Sequence, residues 1–379
     1  NGLKTDYDAG RWLIATPVIG NIDEDPELEV VIGSYQSPTS TCPIFGINPD
    51  GTDVSGFPYI IGEKMKAGVA LADMNNNGID DIVFGTDTDN LYVLLDDLSI
   101  APGFPLDLGS NLRSEPAVLE DGVEKIILIG CDDNNFYGIN YDATLRFVIP
   151  TGGNVSTSPA FKDVGSGVEI YFGSDDGNVY GVDKDGDSLL GFPQYVGGEL
   201  EAGVVGSVVF SDINNDNSLD LIVVNNKGEI YAFDESQSLL QYFPLFYQDA
   251  FSSAPMVEDY DLDGDLEIIS GSTGSLVVVD YKYSINEENE SWSMFKGDAQ
   301  RSGHYVFSDD NPWDCPVPNI GDLNCDTIIN ILDIVMVVNI VVGGEDGFDD
   351  YELWAADINS DGIINVLDIV LLVNIVVSE

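Results

Sequence analysis

Basic residues are scarce in this sequence: 13 Lys and Arg stand against 67 Asp and Glu, for a formal net charge of −54. Nucleic acid is all but excluded as a partner, because binding it requires clustered Lys and Arg that replace the phosphate counterions. Anionic membrane surfaces are disfavoured for the same reason. The surplus of carboxylates favours multivalent cations as ligands, since unbalanced charge of this size opposes compaction by self-repulsion.

Long hydrophobic runs and Cys/His zinc-site patterns are also missing. No stretch of about 18 apolar residues occurs, so no membrane insertion is predicted. Cys42, Cys131, Cys315 and Cys325 form no zinc-site pattern, and the single histidine, His304, is expected to be a surface or packing residue. No GxSxG, P-loop or dinucleotide fingerprint appears, and no catalytic carboxylate pair stands out among so many acids. The sequence predicts a protein that is not an enzyme.

What the sequence does contain is an internal repeat. A unit of roughly 43 to 52 residues recurs six times in the first three hundred residues, with strands such as "LEVVIGS" and "NVYGVD" and a frequent closing "GFP". Four short strands per unit predict one propeller blade each, because such sheets bury their faces on neighbours and must close a ring. We expect a mainly β fold with six blades, or seven if "GRWLIA" and "SWSMFKGDAQRSGHYV" assemble another. A solenoid is the weaker alternative.

The turn after the first strand carries side-chain oxygens at alternate positions in four of these units. Oxygens at positions 1, 3, 5 and 9 of a tight loop, with the carbonyl of position 7, can converge on one hard cation of calcium's size. An Asx-rich solvated turn is the alternative, but four loops in register favour up to four calcium ions. Repeats three and four lack the spacing, and no ion is predicted there. The predicted ligands are Asn21, Asp23, Asp25, Glu27 and Glu29; Asp73, Asn75, Asn77, Ile79 and Asp81; Asp212, Asn214, Asp216, Ser218 and Asp220; and Asp259, Asp261, Asp263, Asp265 and Glu267.

These turns, with the "VVIGS"-type strands after them, resemble the FG-GAP/VCBS calcium-binding propeller repeat over about residues 13–306. The resemblance implies an extracellular propeller used mostly for adhesion or ligand display, sometimes as an accessory to carbohydrate enzymes.

The chain ends with two near-copies of one piece, "DLNCDTIINILDIVMVVNIVV" and "DINSDGIINVLDIVLLVNIVV", in which 15 of 21 aligned residues are identical. Each piece places oxygen ligands at positions 1, 3, 5, 9 and 12, with a carbonyl at 7, as in a calcium loop that opens a helix. Asp at position 12, where an EF-hand has Glu, is a departure from that motif. The predicted ligands of the two ions are Asp322, Asn324, Asp326, Ile328, Asn330 and Asp333, then Asp357, Asn359, Asp361, Ile363, Asn365 and Asp368.

Two such halves in tandem resemble a type I dockerin over about residues 319–379. The resemblance implies calcium-dependent folding, docking onto a cohesin module of another protein, and two possible binding orientations from the near-identity of the halves. A module of ~60 residues cannot hide two helices that are apolar all round, so part of their surface meets a partner. The candidates are Ile331, Leu332, Val366 and Leu367. They stand at positions 10 and 11, where many dockerins carry a Ser-Thr-like pair, and they suggest a more apolar partner surface.

Residues 307–318 are predicted to be a Pro-containing linker between the two domains, 1–306 and 319–379. A disulfide between Cys315 and Cys325 is predicted, which fits an oxidising exterior. Whether Cys42 and Cys131 pair stays open.

Together these features predict a secreted or cell-surface, non-catalytic calcium-binding propeller that the dockerin attaches to a cohesin-type partner for adhesion, display or scaffolding. One alternative is a structural subunit of a filament or sheath, whose dockerin docks onto a neighbouring copy. Another is a carbohydrate-binding or carbohydrate-active component of a cellulosome-like complex, with polysaccharide as partner.

Overall fold

The computed structural model divides the chain into two compact units, Asn1–Phe307 and Ser308–Glu379. It describes residues 9, 12–23, 25, 27–35, 42–165, 167–198, 201–216, 218–284, 292–307, 321, 323, 329, 331–343, 353, 355–356, 358 and 364–378.

Six sheets follow one another along the first unit, and each is an antiparallel meander in which consecutive strands pair. The strands of sheets one to three are β1 (Val18–Gly20), β2 (Glu29–Gly33), β3 (Pro43–Ile47) and β4 (Tyr59–Ile60); β5 (Ala70–Ala72), β6 (Asp81–Gly85), β7 (Asn90–Leu94) and β8 (Leu106–Asp107); and β9 (Ala117–Asp121), β10 (Glu124–Cys131), β11 (Asn135–Asn140) and β12 (Leu145–Pro150). Those of sheets four to six are β13 (Ala160–Asp163), β14 (Val168–Gly173), β15 (Asn178–Asp183) and β16 (Gln194–Tyr195); β17 (Val209–Ser211), β18 (Asp220–Val224), β19 (Glu229–Phe233) and β20 (Leu245–Phe246); and β21 (Met256–Glu258), β22 (Asp265–Gly271) and β23 (Leu276–Ser284).

Two features of this arrangement differ from the sequence-based expectation. The sixth sheet has three strands among the described residues instead of four, so β23 is an edge strand. The segment proposed for a seventh blade instead supplies β24 (His304–Phe307), which pairs in parallel with β9 in the third sheet. Phe307, placed in the linker by the sequence analysis, is the last residue of this strand. In the described part of the chain no sheet closes on itself and no seventh sheet forms.

The closing "GFP" turns have the same backbone in three repeats. Gly56, Gly103 and Gly191 have φ values of 89°, 94° and 89°, a region that glycine enters without steric cost. Each precedes a cis Phe–Pro bond and a two-residue fourth strand. In the fifth repeat Tyr242 takes the same place, with a φ of 78°.

Neighbouring sheets bury their faces on one another. One cluster joins the first and second sheets, a second joins the second and third, a third spans the third to the fifth, and a fourth joins the fifth and sixth. Between the third and fourth sheets the rings of Phe136 and Phe172 stack with centroids 3.9 Å apart. One face of β23 is not covered in this way, because Leu276 and Val278 are 68% and 46% exposed.

Residues 292–307, here called the crossing segment, contact the first strand of every sheet. Backbone N–H groups of five first strands donate to its carbonyls at 2.8–3.0 Å: Ile19 to Gln300, Leu71 to Ser302, Val118 to Gly303, Phe210 to Trp292 and Val257 to Ser293. In the remaining sheet Phe161 packs against Trp292 and Tyr305. The six first strands therefore lie around this segment. His304 within it is a packing residue, with its Nε2 3.1 Å from Glu120.

The second unit contains two paired helices, α1 (Ile331–Gly343) and α2 (Val366–Ser378). Val337 and Ile340 of α1 pack with Leu372 of α2 in its core, together with Leu323 and Ala355. No helix in the described residues has the length and apolar character needed to cross a membrane.

Candidate metal centres

The four acidic loops of the first unit occupy one place in the architecture. Each connects the first and second strands of its sheet, in the first, second, fifth and sixth sheets. The residue at position 9 lies in the second strand and is buried in every case: Glu29, Asp81, Asp220 and Glu267 are at most 2% exposed. The four loops differ in sequence, yet each places a buried carboxylate at the same structural position.

One oxygen of each position-9 carboxylate fixes the loop. It accepts the backbone N–H of position 2, at 3.1 Å from Ile22 to Glu29, 2.9 Å from Met74 to Asp81, 3.1 Å from Ile213 to Asp220 and 2.7 Å from Tyr260 to Glu267. The remaining oxygen differs between the loops. That of Asp81 accepts the backbone N–H of Asp96 at 2.8 Å and that of Asp220 accepts from Nδ2 of Asn214 at 3.4 Å, whereas those of Glu29 and Glu267 have no partner among the described residues.

Positions 1 and 5 shape the turn from within. Asp73, Asp212 and Asp259 at position 1 accept the N–H of position 5 at 3.0–3.1 Å. The side chain at position 5 accepts the N–H of position 7 in all four loops, at 2.8–3.3 Å. Position 4 has a positive φ in three loops, at Asn76, Asn215 and Leu262. The side chains at positions 1, 3 and 5 consequently converge.

Several oxygens in these loops lack any hydrogen-bond partner within the described residues. They are Oε1 of Glu29 and Glu267 at position 9 and Oδ1 of Asn75 and Asn214 at position 3. A buried acceptor without a partner costs roughly 1–3 kcal/mol. In addition, ligand atoms of Asp23, Asp25 and Glu29 lie within 4.8 Å of one another, as do those of two overlapping triads in the sixth sheet: Asp259, Asp261 and Asp263, then Asp263, Asp265 and Glu267. Clustered carboxylate and amide oxygens fit a hard cation such as calcium.

Burial acts on the protonation of these groups. It raises the pKa of Asp220 to about 8, with Asp216 and Asp212 adding repulsion, and raises that of Asp81 to about 6. The pKa of Glu29 and that of Glu267 are also raised by burial and neighbouring carboxylates. The ionised carboxylates are thus costly on their own, and a cation among them would offset that cost.

The two loops of the second unit are described in part. Asp333 and Asp368, at position 12, are both completely buried. Asp333 accepts the N–H of Leu323 at 2.9 Å, and Asp368 accepts that of Asn365, also at 2.9 Å. Outside the described residues lie the predicted ligands Asp322, Asn324, Asp326, Ile328, Asn330, Asp357, Asn359, Asp361 and Ile363, and the cysteines Cys315 and Cys325. Of the other two cysteines, Cys131 forms no disulfide with any described residue.

The predicted partner residues of α2 are exposed: Val366 by 64% and Leu367 by 50%. Val370 and Val373, which were not among the predicted partner residues, continue the same helix face and are 50% and 37% exposed. The i, i+4, i+7 spacing from Val366 was the signal that predicts this row. Helix α1 begins at Ile331, whereas the side chains of Ile331 and Leu332 lie outside the described part.

The recurring tyrosines of the third strands are packing residues with satisfied hydroxyls. Tyr92 stacks on Phe84 with centroids 5.0 Å apart and donates to Glu63 at 2.9 Å. Tyr180 likewise stacks on Phe172 and donates to Asp176. A phenylalanine thus packs on one face of each ring, and the hydroxyl is engaged by a carboxylate.

Solved structures similar to this chain are distant in sequence. The biofilm matrix protein Bap1 of V. cholerae is 14% identical, with a TM-score of 0.51 over 68% of this chain and 44% of that one. This chain thus spans less than half of Bap1, and the likeness concerns the fold alone. A complex of BBS1N with ARL6DN is 13% identical, with a TM-score of 0.49 over 72% of this chain and 79% of that one. No curated protein sequence matches the chain.

The C-terminal region is similar to a known family. Residues 320–376 match the family model of the dockerin type I domain, which covers both helices and both repeated loops. Type I dockerins bind calcium, and a dockerin implies attachment to a cohesin partner in a cellulosome-like assembly. Residues 320–376 of this chain are thus a dockerin type I domain.

Proposed function

We propose that this protein is a secreted, non-catalytic propeller, loaded with calcium, that its dockerin domain attaches to a cohesin module of an extracellular assembly. The observation that carries the attachment is the exposed apolar row Val366, Leu367, Val370 and Val373 on α2, within the region that matches the dockerin family. The first unit then serves adhesion, display or scaffolding at the site of attachment.

A propeller of six blades is supported by how the sheets are placed. Consecutive sheets pack face to face, and the first strand of each contacts the crossing segment. Six meanders whose first strands share one centre correspond to blades around an axis. The family resemblance of the repeats points the same way, and the crossing segment would lie at the hub of the ring.

Calcium in the first unit is supported by the buried oxygens without partners. Glu29 and Glu267 would hold an ion in the first and sixth sheets, and Asn75 with Asp81 and Asn214 with Asp220 would do so in the second and fifth. A bound calcium ion would neutralise ionised carboxylates and link side chains across each loop. Four such sites would also reduce the self-repulsion of a chain with a net charge of −54.

The apolar character of the α2 row determines the partner surface that we expect. Val366 and Leu367 offer no hydroxyl for hydrogen bonding, so the complementary cohesin should present an apolar patch in their place. Such a patch gains affinity from desolvation of the centre of the interface.

The attachment is tested by measuring binding of the full chain to a panel of type I cohesins, in calcium and in EDTA. We expect one or more cohesins to bind in calcium and none in EDTA. Val366→Asp and Leu367→Asp should each weaken binding at least tenfold, whereas Val123→Asp, at a 95% exposed valine of the first unit, should not.

Failure of every cohesin to bind would overturn the attachment proposal. If the chain then self-associates through the same α2 residues, the filament subunit becomes the better account. Binding to polysaccharide with hydrolysis would instead favour the carbohydrate-active alternative and contradict the non-catalytic assignment.

A further inference from the structure

A cavity of about 830 Å³ lies where the first strands of the six sheets begin. Every sheet contributes a residue just before its first strand, and Met294, Phe295 and Arg301 of the crossing segment add to the wall. We call it the hub cavity, and its six sheet residues are Thr16, Ala67, Glu115, Ser158, Gly206 and Ala254. Its volume is in the range of small-molecule sites, roughly 300–1,000 Å³.

Positive charge is concentrated at this cavity, although basic residues are rare in the chain. Lys66, Arg113 and Arg301 all line it, out of 13 basic residues in the whole sequence. Arg113 is held in place by Asp87 and Asp132, each at 3.0 Å. Lys66 and Arg301 are exposed and form no ion pair within the described part of the chain. Two unpaired cations therefore remain available to an anionic group.

The acidic residues of the lining are partly neutralised. Asp132 is engaged by Arg113, and Glu115 lies 3.7 Å from the buried Nζ of Lys296. Asp175 has no such partner among the described residues, and burial beside Asp132 and Asp176 raises its pKa. The cavity is thus close to neutral within a strongly anionic molecule, which lowers the barrier to an anionic ligand.

Both carboxylate oxygens of Glu115 face groups of the protein, and Oε2 is the one that lies 3.7 Å from Nζ of Lys296. Its Oε1 accepts the hydroxyl of Thr16 at 2.7 Å, while its Oε2 is buried without a hydrogen-bond partner. Lys296, which is near it, donates instead to the carbonyl of Val69.

The rest of the wall has a polar and an apolar side. Asn154 and Ser156 line it, with no side-chain hydrogen bond to a described residue. Met256, Ile269 and Phe295 supply an apolar surface. Amides, hydroxyls and apolar carbon together suit the edge and the face of a sugar ring.

We propose that the hub cavity binds a uronic-acid residue of an acidic saccharide. The carboxylate of the ligand pairs with Lys66 and Arg301. The neighbouring hydroxyls meet Asn154 and Ser156. This ligand would bind to the first unit. Its binding is independent of the cohesin attachment, because it uses no residue of the dockerin.

The test titrates the full chain, in calcium, with a tetrasaccharide of β-linked glucuronic acid, the matching glucose tetrasaccharide and tetraglutamate, by calorimetry at about 0.15 M salt. We expect the uronate to bind and the neutral sugar and the peptide to bind at least tenfold more weakly. Lys66→Ala and Arg301→Ala should each reduce the uronate affinity about tenfold, with unchanged melting temperature. Lys162→Ala, outside this cavity, is the matched control and should bind as the parent does.

Absence of uronate binding overturns the proposal, as does binding that survives both Lys66→Ala and Arg301→Ala. Tighter binding of tetraglutamate would identify the site as one for acidic peptides and would equally overturn it. A chain that binds a cohesin but no saccharide retains its attachment function, so the two proposals fail separately.

Discussion

The Nζ of Lys282 lies 2.7 Å from Oδ2 of Asp263, at position 5 of the acidic loop in the sixth sheet. The same ammonium is 3.1 Å from Asp265 and 2.8 Å from Asp280. The second and fifth sheets instead place a carboxylate beside the loop: Asp96 accepts from Asn75 and Asn77, and Glu235 accepts from Ser218. The loop in the sixth sheet thus has the ammonium of a neighbouring strand beside its carboxylates.

From this difference we predict that Lys282 competes with calcium for the carboxylates of the loop. In Lys282→Gln the loop keeps its ligands and loses a repelling charge, so its calcium affinity should rise about two- to fivefold at low ionic strength. The gain should shrink as salt is added, because the lysine is exposed. Calcium titration of the full chain, with Lys227→Gln as the control, measures the effect. Unchanged or weaker affinity in Lys282→Gln would show that the ammonium does not oppose the ion.

The pH dependence of calcium stabilisation follows from the buried carboxyls. Without a cation, burial raises the pKa of Asp220 to about 8 and of Asp81 to about 6. Between the ordinary carboxyl pKa, about 4, and these values the folded state holds more protons than the unfolded chain, so its stability falls as pH rises. Calcium binds the ionised form and should remove this loss.

We therefore expect calcium to raise the melting temperature more at pH 8 than at pH 5, in differential scanning calorimetry against EDTA. The EDTA form should itself melt lower at pH 8 than at pH 5. An equal or larger calcium effect at pH 5 would contradict the assignment of these carboxylates as ligands.

Asp220→Asn removes the charge of this side chain and keeps its shape, so it separates the two contributions to stability. In EDTA at pH 8.5 the variant should be at least as stable as the parent, because it no longer carries a buried ionised carboxylate. In calcium it should lose part of the stabilisation that the parent gains. Asp97→Asn, at an exposed turn, is the control and should change neither value. A variant that is less stable than the parent only in EDTA would mean that Asp220 is structural and not a ligand.

The sequence was sufficient to locate the acidic loops and the dockerin, because the spacing of Asp, Asn and Glu along nine or twelve residues is a local property. Burial of Glu29 and Asp220 in the second strand agrees with their position after the turn. Lys282 could not be assigned to the loop from the sequence, because it comes from a different strand and lies 19 residues from Asp263.

The crossing segment could not be predicted for a related reason. Residues 292–307 show neither helical nor strand periodicity, and their contacts reach residues such as Val69, 227 positions away from Lys296. A local pattern carries no signal for such a pairing. The fourth strand of the sixth sheet was expected by analogy with the other repeats, but that repeat lacks the "GFP" turn after which the short fourth strands form.

The last prediction concerns the buried pair that links the crossing segment to the third sheet. Lys296 is 1% exposed, lies 3.7 Å from Glu115 and donates to the carbonyl of Val69 in the second sheet. Burial lowers the pKa of Lys296 to about 8, so the ammonium is still charged at pH 7. Lys296→Met should cost about 3 kcal/mol of unfolding free energy, the lower end for a buried pair, because it leaves the partly buried Glu115 without its counter-charge.

Urea unfolding of the full chain in saturating calcium, followed by circular dichroism, measures this cost. The double variant Lys296→Met with Glu115→Gln should recover part of it, since no uncompensated charge is then left, whereas the exposed Lys227→Met should be neutral. A loss below about 1 kcal/mol in Lys296→Met, the size expected of a surface pair, would contradict a role for this pair in holding the second and third sheets to the crossing segment. Equal losses in the single and double variants would show that the uncompensated charge of Glu115 is not the cause, and would assign the loss to the hydrogen bond that Lys296 donates to the carbonyl of Val69.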